Sequence, residues 1–152
     1  MDTRGQERSP EHAEAVVFLG AITEEEWAQV VERCERRLYA EGEVVVRAGD
    51  VDRSLLIVVA GALGFYLEAD DPEPFDVIRS PSVVGELAFF DGLPRSGTLR
   101  GIEAGEVLRL DFADFEALAA EVPHIGQAIL LDLGRIMADR LRRTNTSAQR
   151  GR

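Results

Sequence analysis

Hydrophobic positions along this chain change period twice, and the changes divide it into three zones. Residues 1–10 are polar, contain Gly5 and Pro10, and predict a disordered tail. Val16, Val17, Phe18 and Leu19 form a short apolar turn. Thr23 followed by Glu26 reads as a capping box opening a helix, with Trp27, Val30, Val31 and Cys34 at helical spacing. From Leu38 the period shortens. Residues 44–46, 54–60, 62–67, 77–79, 83–84, 98–102 and 106–110 read as strands, broken at Gly42, Gly49, Gly61 and Gly105 and by the acidic turn 70–74. Short strands this closely spaced predict a β-sandwich or a jelly-roll barrel.

The third zone is helical. Asp111 is placed to cap a helix over 112–120, with Phe115 and Leu118 facing in. Pro123 suits the first turn of a longer helix that runs to about Asn145. Ile125, Ile129, Leu133, Ile136, Met137 and Leu141 repeat near 3.6 residues, and Leu130 and Leu131 widen the stripe. Two arrangements fit that width. The helix either lies wholly across its own barrel or pairs with its copy in a second subunit. The expected organisation is a tail over 1–10, one domain over 11–145 and a second disordered tail over 146–152.

Composition removes several classes of function. The chain has 152 residues and a net charge of −11, enough length for one domain with a real core. All 17 basic residues are arginine. Residues 1–139 carry 12 of them against all 28 acids, whereas 140–152 hold Arg140, Arg142, Arg143, Arg150 and Arg152 and no acid. So acidic a body repels DNA and anionic membranes. The basic end reads as a helix C-terminus and tail, with a docking tail as the other reading. Cys34, the only cysteine, permits no intrachain disulfide and fits a reducing compartment. The longest apolar run, 55–65, is too short to span a bilayer, so no membrane insertion and a cytoplasmic location are expected.

The densest chemistry lies in residues 85–98. Gly85 permits positive φ or close backbone approach. A helical turn at 86–90 would aim free N–H groups at one point, which makes an anion site without lysine. Arg95, after the Gly92-Leu93-Pro94 bend, can grip two phosphate oxygens, and Ser96 can donate a further hydrogen bond. Glu86, an acceptor when ionised, suits a ribose hydroxyl and repels extra phosphates. One arginine and one hydroxyl match a single negative charge, since a triphosphate would call for lysine and a metal. A metal-dependent jelly-roll enzyme needs clustered histidines, and only His12 and His124 exist. Ser96 has no identifiable base, and Cys34 sits on an apolar helix face. The chain therefore does not read as an enzyme, and no cofactor or metal is expected.

Gly85-Glu86-Leu87-Ala88 followed by Pro94-Arg95-Ser96-x-Thr98 resembles the phosphate-binding cassette of the cyclic nucleotide-binding domain family. The likeness runs from about Phe18 to Asn145 and is greatest to the sensor half of catabolite-activator-type regulators. It implies a mostly β fold with flanking helices: a β jelly-roll (double-stranded β-helix) barrel with N-terminal helices and a long C-terminal helix. It implies backbone contacts to the cyclic phosphate and ribose from Gly85, Leu87 and Ala88. Glu86 would take the ribose 2′-hydroxyl, and Arg95 and Ser96 the phosphate. Thr144 matches a threonine that contacts the adenine amino group, and Asn145 the position that reaches the base across a dimer. Pro81 and Gly97 depart from the family pattern, which has a glycine and an alanine there. Seven residues follow Asn145, so no DNA-binding domain is expected. The resulting expectation is a sensor for a cyclic purine mononucleotide, cyclic AMP ahead of cyclic GMP. It would signal through its C-terminal helix to an effector protein or a second subunit. The alternative is a degenerate jelly-roll module for interaction or dimerisation, against which the retained Glu86, Arg95 and Ser96 argue.

Overall fold

A computed structural model describes the backbone of residues 18–150 and the side chains of 18–146. The expected tail over 1–10, Val16 and Val17, and residues 151–152 lie outside the described residues. The first helix, α1 (Glu24–Glu32), opens with the expected capping box. The Glu26 N–H donates to Thr23 Oγ1 at 3.1 Å, and the Thr23 N–H donates to Glu26 Oε1 at 2.9 Å.

Among the described residues six strands follow: β1 (Glu35–Tyr39), β2 (Val44–Val46), β3 (Ser54–Tyr66), β4 (Asp76–Arg79), β5 (Ser82–Val84) and β6 (Thr98–Asp111). Every pairing is antiparallel. β3 and β6 run side by side through the middle. β1 and β2 pair with β6, whereas β4 and β5 pair with β3. The architecture is mostly β with flanking helices, but the ladder stays open between β1 and β4 and does not close into a barrel. β1 was not expected as a strand. Of its residues Glu35, Arg36, Arg37, Leu38 and Tyr39, only Tyr39 is buried, so it carries no alternation to read. Its pairing with residues 105–109 of β6 holds it in place.

The breaks expected at Gly61 and Gly105 are bends inside two long strands. Register shifts in the β3–β6 ladder cluster between Val58 and Leu63. Gly61 there takes φ +80°, and a Cβ on it would come 2.5 Å from the Ala104 carbonyl oxygen. A Cβ on Gly105 would overlap the Ala60 carbonyl. A glycine at a bulge lets a strand turn a corner without leaving its partner.

The unbroken apolar run at the start of β3 has a matching cause, since both faces of the strand are covered. Leu56 and Val58 join Tyr39, Val46, Leu63, Ile78, Leu99 and Val107 in one cluster. Leu55 and Ile57 face the other way, to the helices, where they pack with Leu108, Leu110, Phe89, Phe115, Ile125, Ile129 and Leu133.

The helical layer comprises α2 (Glu86–Asp91), α3 (Phe112–Glu121) and α4 (Pro123–Arg150). Asp111 stands at the N-cap of α3 but makes no side-chain cap bond. Its carboxylate lies 3.3 Å from Arg109 instead. α4 begins at Pro123 as expected and passes the expected end near Asn145, continuing as helix to Arg150. Ile125, Ile129, Leu133 and Ile136 are buried, but Leu141, expected in the same stripe, is 62 % exposed, as are large parts of Leu130 and Leu131. Asp132, on the buried side, accepts the N–H of Leu19 at 2.8 Å and so ties the start of the described chain to α4.

Replacing Gly105 by alanine forces a methyl into the Ala60 carbonyl, and overpacking of this kind costs about 2 kcal/mol or more. Urea unfolding of Gly105→Ala should show that loss, and a stability equal to the parent's would place the bend elsewhere.

Candidate functional site

β5 leads into Gly85, whose left-handed backbone (φ +87°) turns the chain into α2. Both the positive φ and the space demand glycine. A Cβ at 85 would come 2.5 Å from Arg95 Nη1, so the close approach anticipated at this glycine is made by the arginine. The Phe89 N–H donates to Gly85 O at 3.2 Å. The N–H groups of residues 86–88 precede that bond at the open start of the helix.

Arg95 is only 7 % exposed. Its backbone is pinned first: its N–H donates to Asp50 O and its carbonyl accepts from the Gly49 N–H, both at 2.8 Å. The guanidinium then turns inward. Nη1 donates to Gly85 O at 3.1 Å, and Nη2 donates to Ser54 O at 2.7 Å and Ser54 Oγ at 3.1 Å. Asp52 Oδ2 stands 3.4 Å from Nη2, and its Oδ1 takes a 2.7 Å hydrogen bond from Arg109. Arg95 Nε is buried and has no partner among the described residues.

Glu86 is the second buried charge, 9 % exposed. Its Oε1 pairs with Arg140 Nη1 of α4 at 2.7 Å, and its Oε2 is buried without a partner among the described residues. Arg140 also donates to Val83 O at 2.5 Å, so one side chain joins the long helix to both β5 and α2. At the other end of α2, Arg53 donates to the carbonyls of Phe89 (2.9 Å) and Phe90 (2.7 Å). Its guanidinium lies 3.6 Å over the ring of Phe112. Phe89 itself is fully buried among Phe90, Phe112 and Phe115 at 5.2–5.7 Å between ring centroids.

Gly85, Glu86, Arg95 and Arg140 border a cavity of about 410 Å³. Gly85, Glu86, Leu87, Ala88, Arg95, Ser96 and Thr144, seven of the eight residues singled out from sequence, line it; Asn145 does not. Arg140 is the residue that sequence reasoning passed over. It lies four positions before Thr144, hence on the same helix face, and that spacing was the available signal. The apolar wall, including Phe65, Ile78 and Leu99, was legible only as strand interior. Gly97 is less free than its small size suggests, because a Cβ there would run into the ring of Phe65.

The other candidate nucleophile and histidine stand apart. Burial pushes the Cys34 thiol up to about 12, and it donates to Val30 O at 3.2 Å. His124 lies 3.4 Å from Glu26 at the start of α4. Among the described residues no group of three or more His, Cys, Asp or Glu could hold a metal ion.

The model of the cyclic nucleotide-binding domain matches residues 36–122. The chain belongs to the cyclic nucleotide-binding domain family. It is 30 % identical over 122 residues to the cAMP-activated global transcriptional regulator Vfr of Pseudomonas aeruginosa, a match covering 76 % of this chain and 55 % of Vfr. It is 25 % identical over 127 residues to a cAMP-dependent protein kinase regulatory subunit of Emericella nidulans, covering 82 % of this chain and 31 % of that protein. The chain thus spans about half the length of the first relative and a third of the second. Among solved structures, a cyclic nucleotide-binding domain from Methylobacillus flagellatus superposes with a TM-score of 0.78 at 18 % identity, covering 88 % of this chain and 76 % of that one. The Thermus thermophilus catabolite activator protein gives 0.72 at 24 %, covering 89 % and 62 %. Both share the fold of this cyclic nucleotide-binding domain. No helix among its described residues is long and apolar enough to cross a membrane.

The carboxylate behind the arginine carries a pH dependence. Burial alone would raise the Asp52 pKa, but hydrogen bonds with Arg109 and Ser54 and the charges of Arg109 and Arg95 outweigh it and hold the group below its usual range. A depressed carboxylate adds stability above its unfolded pKa of about 4 and loses it as the pH falls through the folded value. Asp52→Asn should therefore flatten the fall in unfolding free energy below about pH 4. Urea titrations at stepped pH measure it, and parallel curves would count against the arrangement.

Proposed function

We propose that this chain is a regulatory sensor that binds a cyclic purine mononucleotide, cyclic AMP in preference to cyclic GMP, and transmits the event through α4. One observation carries the reading. The same cavity is bordered by a buried cation and a buried anion that, among the described residues, each keep one polar atom without a partner, Arg95 Nε and Glu86 Oε2. An unmet buried hydrogen bond costs about 1–3 kcal/mol, so the pair asks for a ligand with an anionic acceptor and a hydroxyl donor. A cyclic nucleotide carries both, in its phosphodiester and its ribose 2′-hydroxyl.

In this reading Arg95, Ser96 and the backbone N–H groups from Gly85 to Ala88 take the phosphate, with Leu87 among them, and Glu86 takes the ribose. Thr144 faces the base. Asn145, outside the lining of this cavity, would act only from a second subunit. The names of two relatives, a cAMP-activated regulator and a cAMP-dependent kinase regulatory subunit, support the choice of nucleotide. The only cysteine, an unreactive thiol, is in keeping with the cytoplasm.

Transmission follows from Arg140. A ribose hydroxyl donating to Oε2 of Glu86 draws on the same carboxylate whose Oε1 holds the Arg140 guanidinium, the link from α4 to the cassette. The ligand then shifts α4 only as far as it prefers one position of that helix. The receiver is an effector protein or a second copy. For the latter, α4 offers Leu131, Gly134, Ala138 and Leu141, all exposed and spaced three and four apart. Among the described residues nothing beyond its own helix backbone lies within 4 Å of a Cβ built on Gly134.

Isothermal titration with cyclic AMP and cyclic GMP tests the ligand. Binding is expected for the parent, and Arg95→Ala should weaken it by about 2 kcal/mol or more. No heat at millimolar nucleotide would leave the interaction-module reading in its place. Sedimentation analysis tests the second copy: the parent should be a dimer and Leu131→Glu a monomer, and a monomeric parent would send the signal to another protein.

A further inference from the structure

One group in the cavity has no part in the roles above. Asp76 begins β4 and shares a strand face with Ile78 two residues on, and both line the cavity. Its partner across the β3–β4 ladder is Phe65, whose ring lies against Gly97 of the cassette. Asp76 therefore belongs to the wall formed with Val46, Phe65, Ile78 and Leu99, where a planar heterocycle finds its dispersion contacts. Its Oδ1 accepts the N–H of Val77 at 2.9 Å. No ion pair among the described residues takes up its charge.

The neighbouring polar side chains share its character. Thr144 donates its hydroxyl proton to Arg140 O at 3.1 Å, so towards the cavity its oxygen only accepts. Asp91, also in the lining, is an acceptor already used by the Leu93 N–H at 2.9 Å. The side-chain donors of the lining are Arg95, Ser96 and Arg140, all given to the phosphate or to Glu86 above. What remains for the base is a set of acceptors.

We infer that Asp76 sets the base specificity of this site, its free carboxylate oxygen accepting a hydrogen bond from the exocyclic amino group of a 6-aminopurine. The inference rests on the nucleotide reading of the preceding subsection. A 6-oxopurine presents carbonyl lone pairs to the same carboxylate, and the two acceptors repel each other. The charge of Asp76 also repels the phosphate of every cyclic nucleotide, a cost that only a 6-aminopurine offsets with its hydrogen bond. Specificity by repulsion of the wrong partner works in this way.

The test is isothermal titration of the parent chain, Asp76→Ala and Asp76→Asn with cyclic AMP, cyclic GMP and cyclic IMP, the last being a 6-oxopurine without an amino group. The parent should prefer cyclic AMP to cyclic IMP by roughly tenfold or more, the worth of one hydrogen bond to a charged group. Asp76→Ala should bring that ratio to within about threefold, by weakening cyclic AMP and leaving cyclic IMP unchanged or tighter. Asp76→Asn, whose amide can donate to a carbonyl, should tighten cyclic IMP. Ratios unchanged in both variants, or equal losses for all three ligands, would overturn the assignment while the nucleotide reading stands. A parent chain that binds none of the three would overturn both.

Discussion

The guanidinium of Arg95 sits where four parts of the chain have to meet. Its backbone is held by the 49–50 turn, and its side chain reaches the carbonyls of Gly85 and Ser54 and the carboxylate of Asp52. A buried cation is tolerated only when its donors are met and a countercharge stands near. Meeting those terms fixes the start of β3, the turn into α2 and the return of the chain into β6 relative to one another. Glycine at 85 follows from the same contact, since any side chain there would collide with Nη1. Of the guanidinium nitrogens, Nε alone is left without a partner among the described residues.

The second charge, Glu86, ties that arrangement to the helical layer. Arg140 reaches it from α4 while also donating to Val83, and Arg53 holds the far end of α2 against Phe112. The short helix is therefore gripped at both ends by arginines that belong to other elements. Phe89 fills the space beneath it. A six-residue helix has little stability of its own, and its position records whatever its neighbours impose.

Much of this was legible from residue patterns, for physical reasons that differ by element. The capping box at Thr23 and Glu26 is a local motif and needs no tertiary partner. Residues 85–96 carry chemistry that is informative wherever the chain places them. β1 was invisible because Glu35, Arg36 and Arg37 hold a solvent-facing edge, so no alternation marks it. Gly61 and Gly105 read as ends because a glycine's local signal is the same for a stop and for a bend. The pairing of β3 with β6 through that point decides between them. Asp111 read as a cap from its position alone, and Arg109 claimed its carboxylate. The spacing from Thr144 put Arg140 on the right face of its helix, but its partner Glu86, 54 residues away, shows only in the fold.

The contact of Gly97 with Phe65 reaches into the history open to this sequence. The ring and a methyl at 97 cannot occupy one space, so neither residue drifts alone. A lineage that replaced the glycine first would meet a clash inside the cassette. One that first shortened residue 65 would open a void beside Leu99 and still leave the Tyr66 carbonyl oxygen 2.7 Å from the new methyl. Glycine at 97 is therefore held from two sides, by a ring that could be replaced and by a backbone that could not.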